Sequence, residues 1–231
     1  MKRVKIISVI ICIAACTALF GCGNGNGGEN TTSPAAPSQS AEKTSGDEFN
    51  VKNALEEATR LTEAQKNQVL ASNQSELDAA LADKTSSGAL FRTTERTSVT
   101  VSGAKAGKTV TVKAPSASVI SESEGVSFIL EATGTGGLIT DAEAASIYVK
   151  GDKIPLTLKS GAESIVVYGS DCSVTFKGGR FGTVAVFNAT AVLTNLTAEE
   201  IAVTLANGTT LTLPSMQTYS FDDGKFSKAK A

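Results

Sequence analysis

An all-β architecture, a parallel β-solenoid of about six short coils with an N-terminal helical cap, follows from three features of this 231-residue chain. From Thr97 onward, apolar residues alternate with polar ones in short segments separated by Gly, Asn, Asp, Ser and Lys, which is the period of strands. Two sets of these segments interleave at a common interval. One set begins at Val110, Phe128, Ile147, Ile165, Val184 and Ile201, the other is marked by Val119, Leu138, Leu156, Val174, Val192 and Leu211, and each is spaced by about 18 residues. The third feature is a helical segment ahead of the repeats, placed to seal an open solenoid end that otherwise leaves a strand edge unpaired. Few aromatics and many small turn residues suit coils that bury inward side chains on the coil beneath. An antiparallel β-sandwich of consecutive hairpins is the alternative, because strands about nine residues apart also suit that fold.

At the N-terminal end, Lys2, Arg3 and Lys5 make a basic region. The apolar run Ile6 to Phe20 behind it is shorter than the roughly 20 residues a membrane-spanning helix needs. This pattern predicts a signal peptide over 1–21. Its last residues, Leu19-Phe20-Gly21-Cys22, resemble the lipobox of bacterial lipoproteins. The resemblance implies diacylglyceration of Cys22, cleavage just before it, and attachment to the extracytoplasmic face of a cell membrane. Residues 22–47 hold almost no large apolar side chain and cannot offset the entropy of ordering, which predicts a flexible tether. Its root-mean-square reach would be about 25 to 30 Å.

Residues 48–96 are expected to be a helical segment and cap. Val51, Leu55, Ala58, Thr62 and Val69 fall at near-helical spacing, and Thr62 with Glu63 and Gln65 marks the start of a second short helix. The clearest helix is Ser75 to Leu81, with Ser75 as cap, Asp78 three residues on, and Leu77, Ala80 and Leu81 on one face. Ser87-Gly88 marks the exit to β-structure, 97–218 form the solenoid, and 219–231 supply a C-terminal cap and tail through Tyr219, Phe221 and Phe226. A helix running into a β-repeat resembles the N-terminal cap of right-handed parallel β-helix proteins, the pectin-lyase-like group.

Composition removes several classes of function. Beyond Gly21, 18 basic residues face 23 acidic ones, a balance that argues against nucleic acid as a partner. With no His, a Ser-His-Asp triad, a Cys-His pair and a His-ligated metal are excluded, and with no Trp there is no indole platform for a sugar. No cofactor or metal is expected. Cys172 is the cysteine left beyond the signal and lipid positions, and its place before Val174 predicts an inert buried thiol. Gly103-Ala104-Lys105-Ala106-Gly107-Lys108-Thr109 approaches a phosphate-binding Gly-x4-Gly-Lys-Thr loop. It is one residue short and runs into a strand instead of a helix, so it reads as a turn. Ser102 and Lys105 share the spacing of a Ser-x-x-Lys pair without its helix. Glu122, Glu124, Asp141, Glu143, Glu163, Glu199 and Glu200 recur in turns and read as a solvated acidic edge.

The candidate binding residues are outward aromatics. If Ile165, Val167, Val184 and Val186 point inward, alternation turns Tyr168 and Phe187 outward on neighbouring coils, with Tyr148 one coil away. Lys150, Asp152, Asp171 and Asn188 fall in the same turn column. An exposed aromatic pair with a polar rim suits an envelope glycan or a surface protein. The resulting expectation is a lipid-anchored envelope protein with a solenoid binding or structural module and the membrane as partner through Cys22. One alternative is a carbohydrate-active β-helix enzyme, which needs at least two of Asp141, Asp152, Asp171 and Arg180 to converge in a groove. A passive spacer is the other.

Overall fold

A computed structural model of the chain describes residues 45–134, 136–187, 190–222 and 225–229. The signal segment, Cys22, nearly all of the tether and Asn188 lie outside the described residues. Helix α1 (Ser45–Ala64) passes through a 3-10 turn (Gln65–Asn67) into strand β1 (Gln68–Ala71), and helix α2 (Gln74–Ala82) follows. The chain then alternates between two sheets. Sheet A stacks β1, β2 (Gly88–Phe91), β4 (Thr109–Val112), β6 (Ser127–Leu130), β8 (Ala144–Val149), β10 (Ala162–Val167), β12 (Phe181–Val186), β14 (Ile201–Leu205) and β15 (Thr210–Leu213). Sheet B stacks β3 (Ser98–Val101), β5 (Ser118–Ser121), β7 (Leu138–Thr140), β9 (Pro155–Leu158), β11 (Cys172–Phe176), β13 (Thr190–Asn195), β16 (Gln217–Asp222) and β17 (Lys225–Lys228). Pairing is parallel from β1 to β14 and from β3 to β13, so the predicted parallel β-solenoid is the fold, with about seven turns instead of six.

Register explains why the repeat was visible. Val110, Phe128, Ile147, Ile165 and Val184 lie directly over one another in sheet A, all buried in one core with Val119, Leu138, Leu156 and Val174 of sheet B. Both series depart from expectation at the C-terminal end. Ala185 pairs with Thr204, which makes Val203 and not Ile201 the successor of Val184. Val174 pairs with Leu193, 19 residues on, so Leu193 is inward at 1% exposure and Val192 is outward at 41%. The extra residue sits in a turn, and a one-residue slip moves a strand's side chains to the other face. Leu211 belongs to β15, which runs antiparallel to β14 in sheet A, and so is no member of the second series.

The N-terminal region also corrects the sequence reading. Strands begin before Thr97: Val69 lies in β1, where four successive residues pair with β2. Strand pairing with the stack overrides its helical spacing. No second helix starts at Thr62, whose hydroxyl donates back to the Ala58 carbonyl (2.9 Å) within α1. Asn73 and not Ser75 caps α2, accepting the Glu76 N–H (3.0 Å), while the Glu76 carboxylate accepts the Ser72 N–H (2.7 Å). The inward face of α2 is as expected, with Leu77, Ala80 and Leu81 buried in the core.

Close coil stacking sets small residues and buried polar groups. At Gly169 an added Cβ would fall 1.8 Å from the Gly151 carbonyl oxygen of the preceding coil, a contact only glycine avoids. The Cys172 thiol is buried beside that same carbonyl (3.4 Å), and burial pushes its pKa up, as expected of an inert thiol. The Gly103–Lys108 segment is a turn between β3 and β4, with Gly103 and Gly107 at φ of 64° and 86°. The Lys108 ammonium turns inward, donating to the Asp83 carbonyl (2.5 Å), the Ser86 carbonyl (2.7 Å) and the Ser86 hydroxyl (3.2 Å). Its donors hold the loop after α2 and are not presented to a phosphate.

Leu193→Ala should cost about 2 to 5 kcal/mol of stability and Val192→Ala no more than about 0.5 kcal/mol. Urea unfolding of the two variants checks the register; equal losses would contradict it.

Candidate functional site

The two outer faces of the solenoid differ, because α1 lies across that of sheet A. The strand register sorts that face into rows. Ser146, Ser164 and Thr183 form one row, and Thr111, Ile129, Tyr148, Val166, Ala185 and Thr204 form the next. Tyr168 and Phe187 follow at the strand ends. Ala54 of α1 packs with Val166 and Ala185 on the middle row, and Ala58 and Leu61 are buried as well. Alanines at spacing i, i+4 let the helix backbone approach the sheet closely. The last turn of α1 is fastened by polar bonds. The Ser87 hydroxyl donates to the Ala64 carbonyl (2.6 Å), and the Gln65 amide donates to the Thr111 hydroxyl (3.3 Å) and the Glu131 carboxylate (2.9 Å).

On one flank of α1 stand the aromatics. Tyr168 stacks on Phe187 with ring centroids 4.8 Å apart and planes at 14°, and Tyr148 meets Tyr168 edge-on at 5.5 Å. The predicted stacking on neighbouring coils is therefore present, but the expected exposure is not. All three rings are half-buried, packed with Ala54, Val166 and Ala185, because the helix that the sequence placed only at the solenoid end covers this face. Burial pushes both phenols above 10.0, helped by the Glu131 charge at Tyr148.

Lys150 lies 5.9 Å from the Tyr148 ring centroid and pairs with Glu131 (2.8 Å), which also pairs with Lys113 (2.7 Å). Burial pushes Glu131 up, but donors from Lys113, Lys150 and Gln65, with the Lys150 charge, outweigh it and hold the carboxyl at about 2.

The other candidates occupy turns. Asp152 accepts the Ser170 N–H (2.7 Å), and the N–H of Asp171, itself at φ 56°, donates to the Thr190 carbonyl (2.8 Å). Asp141 pairs with Lys159 (2.8 Å) in the turns that lead from sheet B back to sheet A, where Arg180 is exposed, whereas Asp152 and Asp171 lie in the opposite turns. These four residues do not line the cleft described next. No cluster of three metal-ligating side chains occurs among the described residues.

On the other flank of α1 is a cleft of about 410 Å³ lined by Asn53, Glu57, Arg60, Ala145, Ser146, Glu163, Ser164 and Thr183. Glu57 is its centre. Arg60 grips both carboxylate oxygens through Nε (2.8 Å) and a terminal nitrogen (2.6 Å), and the Ser146 hydroxyl donates to the same carboxylate. The Arg60 hydrogen bonds lower the Glu57 pKa against its burial, with Ser146 adding to the effect. Glu163 stands at the exposed rim, close enough to help raise the Arg60 pKa. Ser164 is 9% exposed, and its hydroxyl has no hydrogen-bond partner among the described residues.

Sequence reading noted Glu163 among the acidic turns and passed over the other lining residues. The signal was present: Ser146, Ser164 and Thr183 each precede the inward residue that defines a repeat, Ile147, Ile165 and Val184. Glu57 and Arg60 stand three apart on a helix. What could not be read was that this helix runs beside that row.

Together these features define a parallel β-solenoid with a helix strapped across one face and a polar cleft along the helix edge. No protein-family model matches the chain, and no curated protein or solved structure matches it.

Two measurements test the site's supports. Tyr168→Ala should lower stability by about 1 to 3 kcal/mol, a part of the cost for a fully buried ring, read as a fall in thermal midpoint; an unchanged midpoint would mean the ring does not brace α1. Because the Glu131 pKa is depressed in the folded state, its contribution is complete above the ordinary value of 4.5 and is lost as pH falls towards about 2. Glu131→Gln should therefore flatten the acid limb of the stability profile in that window, as denaturant unfolding at stepped pH would show.

Proposed function

We propose that this chain is a lipid-anchored protein of the bacterial cell envelope whose β-solenoid is a binding module, with the cleft beside α1 as its ligand site. The observation that carries the binding half is the cleft itself, a concavity of small-ligand size where charged, carboxamide and hydroxyl groups converge on rigid elements. Regular coils hold the hydroxyl row and a pinned helix holds Glu57 and Arg60, so the groups are positioned before a ligand arrives.

The anchoring half is supported by the basic residues Lys2, Arg3 and Lys5, the apolar run to Phe20, and Leu19-Phe20-Gly21-Cys22. A diacylglyceryl group at Cys22 supplies two chains, enough for stable attachment. The following Gly, Ser, Thr and Pro-rich residues would place the module clear of the headgroups on the extracytoplasmic side, where an envelope glycan or surface protein is the partner. The acidic balance beyond Gly21 disfavours nucleic acid.

Labelled palmitate supplied to cells making the full chain should enter the protein and be lost in Cys22→Ala, with the variant moving from the detergent phase to the aqueous phase on Triton partitioning. Equal labelling and partitioning of the two would overturn the anchor.

A further inference from the structure

We infer that the cleft beside α1 is a saccharide site that takes a neutral or amine-bearing sugar unit and rejects an anionic one; this rests on the reading of the solenoid as a binding module and names its ligand class. The starting point is Ser164. Its hydroxyl is nine-tenths buried, lines the cleft and has no hydrogen-bond partner among the described residues, and a buried hydroxyl left in that condition costs free energy that a ligand donor or acceptor restores. Thr183 lies beside it on the next strand and Ser146 on the preceding one, a row of hydroxyls stepped by the strand spacing of about 4.8 Å. The Ser164 and Thr183 hydroxyls and the Asn53 carboxamide can each donate and accept, while Ser146, whose proton goes to Glu57, offers its oxygen as an acceptor. That set complements a ligand whose own groups do both, which is the chemistry of adjacent sugar hydroxyls.

The charges narrow the class. An anion would need Arg60, but two of its nitrogens are already engaged by both oxygens of Glu57. The remaining charge of the lining is the Glu163 carboxylate, which repels an anion and accepts hydrogen bonds from a hydroxyl or an ammonium. Ala145 is the apolar member of the lining, so a hydrophobic ligand finds little surface to cover. The aromatic rings are on the opposite flank of α1, and recognition here rests on hydrogen bonds.

The test is isothermal titration of the full chain in detergent micelles with three probes: gluco-oligosaccharides, glucosamine oligosaccharides and galacturonate oligosaccharides. The first two should bind and the third should not. Ser164→Ala should weaken binding about tenfold without lowering the thermal midpoint, because the lost hydroxyl has no hydrogen-bond partner among the described residues. Glu163→Gln should remove the preference for the glucosamine probe over the neutral one. Binding of both variants equal to the wild type would overturn the cleft as the site while leaving a binding module elsewhere on the chain. Stronger binding of the galacturonate probe would overturn the ligand class. Absence of binding to all three would overturn the inference and count against the module itself.

Discussion

Backbone pairing between successive coils is the constraint on which the rest of this structure depends. In a parallel stack each strand's N–H and C=O groups are satisfied by the coil before and the coil after, so every internal coil is complete and only the ends are not. The protein closes each end differently. At the first strand of sheet B, the side-chain amide of Gln74 stands in for a neighbouring strand, donating to the Thr100 carbonyl (2.7 Å) and accepting its N–H (2.8 Å). At the far end the chain reverses direction, β15 pairing antiparallel with β14, and the β16–β17 hairpin pairing antiparallel with β13. Reversal stops the parallel series, since the next strand no longer continues the coil.

In-register stacking also brings equivalent positions of successive coils together, which turns a repeat of residue types into rows on the surface. Inside, the rows are Val, Ile, Leu and Phe and make one core. Outside sheet A, the middle row is covered by the alanine face of α1, and the rows on either side are left to different chemistry. Aromatic rings brace the helix on one flank and hydroxyls open into the cleft on the other. Glu131 secures the junction by accepting from Gln65 of the turn after α1 and from Lys113 and Lys150 on the coils to either side. Such a carboxylate gains from having three donors in place, whereas an isolated surface pair contributes little.

Much of the fold was legible in sequence because the solenoid core is built from local alternation repeated at a nearly constant interval. Val110, Phe128, Ile147, Ile165 and Val184 could be aligned by counting alone. The errors share one cause. The interval is set by turns, and a turn accepts one residue more or less without disturbing the strands, so counting at 18 residues placed Val192 inward where the coil needed Leu193. Strand β1 was missed because its segment is short and Val69 also fits a helical spacing, and pairing with the next coil, not its own pattern, makes it a strand.

By itself the sequence determined the all-β class, the interval at which strands recur, the inward faces of most coils, the buried state of Cys172 and the inward face of α2, because each follows from periodicity and local chemistry; the choice of the parallel stack over a sandwich of hairpins was completed by strand pairing. Only the tertiary structure decided that α1 crosses the outer face of sheet A, that Tyr148, Tyr168 and Phe187 are half-covered in consequence, and that Glu57 and Arg60 meet Ser146, Ser164 and Thr183. Those contacts join residues some ninety or more positions apart in the chain. No local pattern encodes such a meeting, since it depends on which face of a completed sheet the helix can bury itself against.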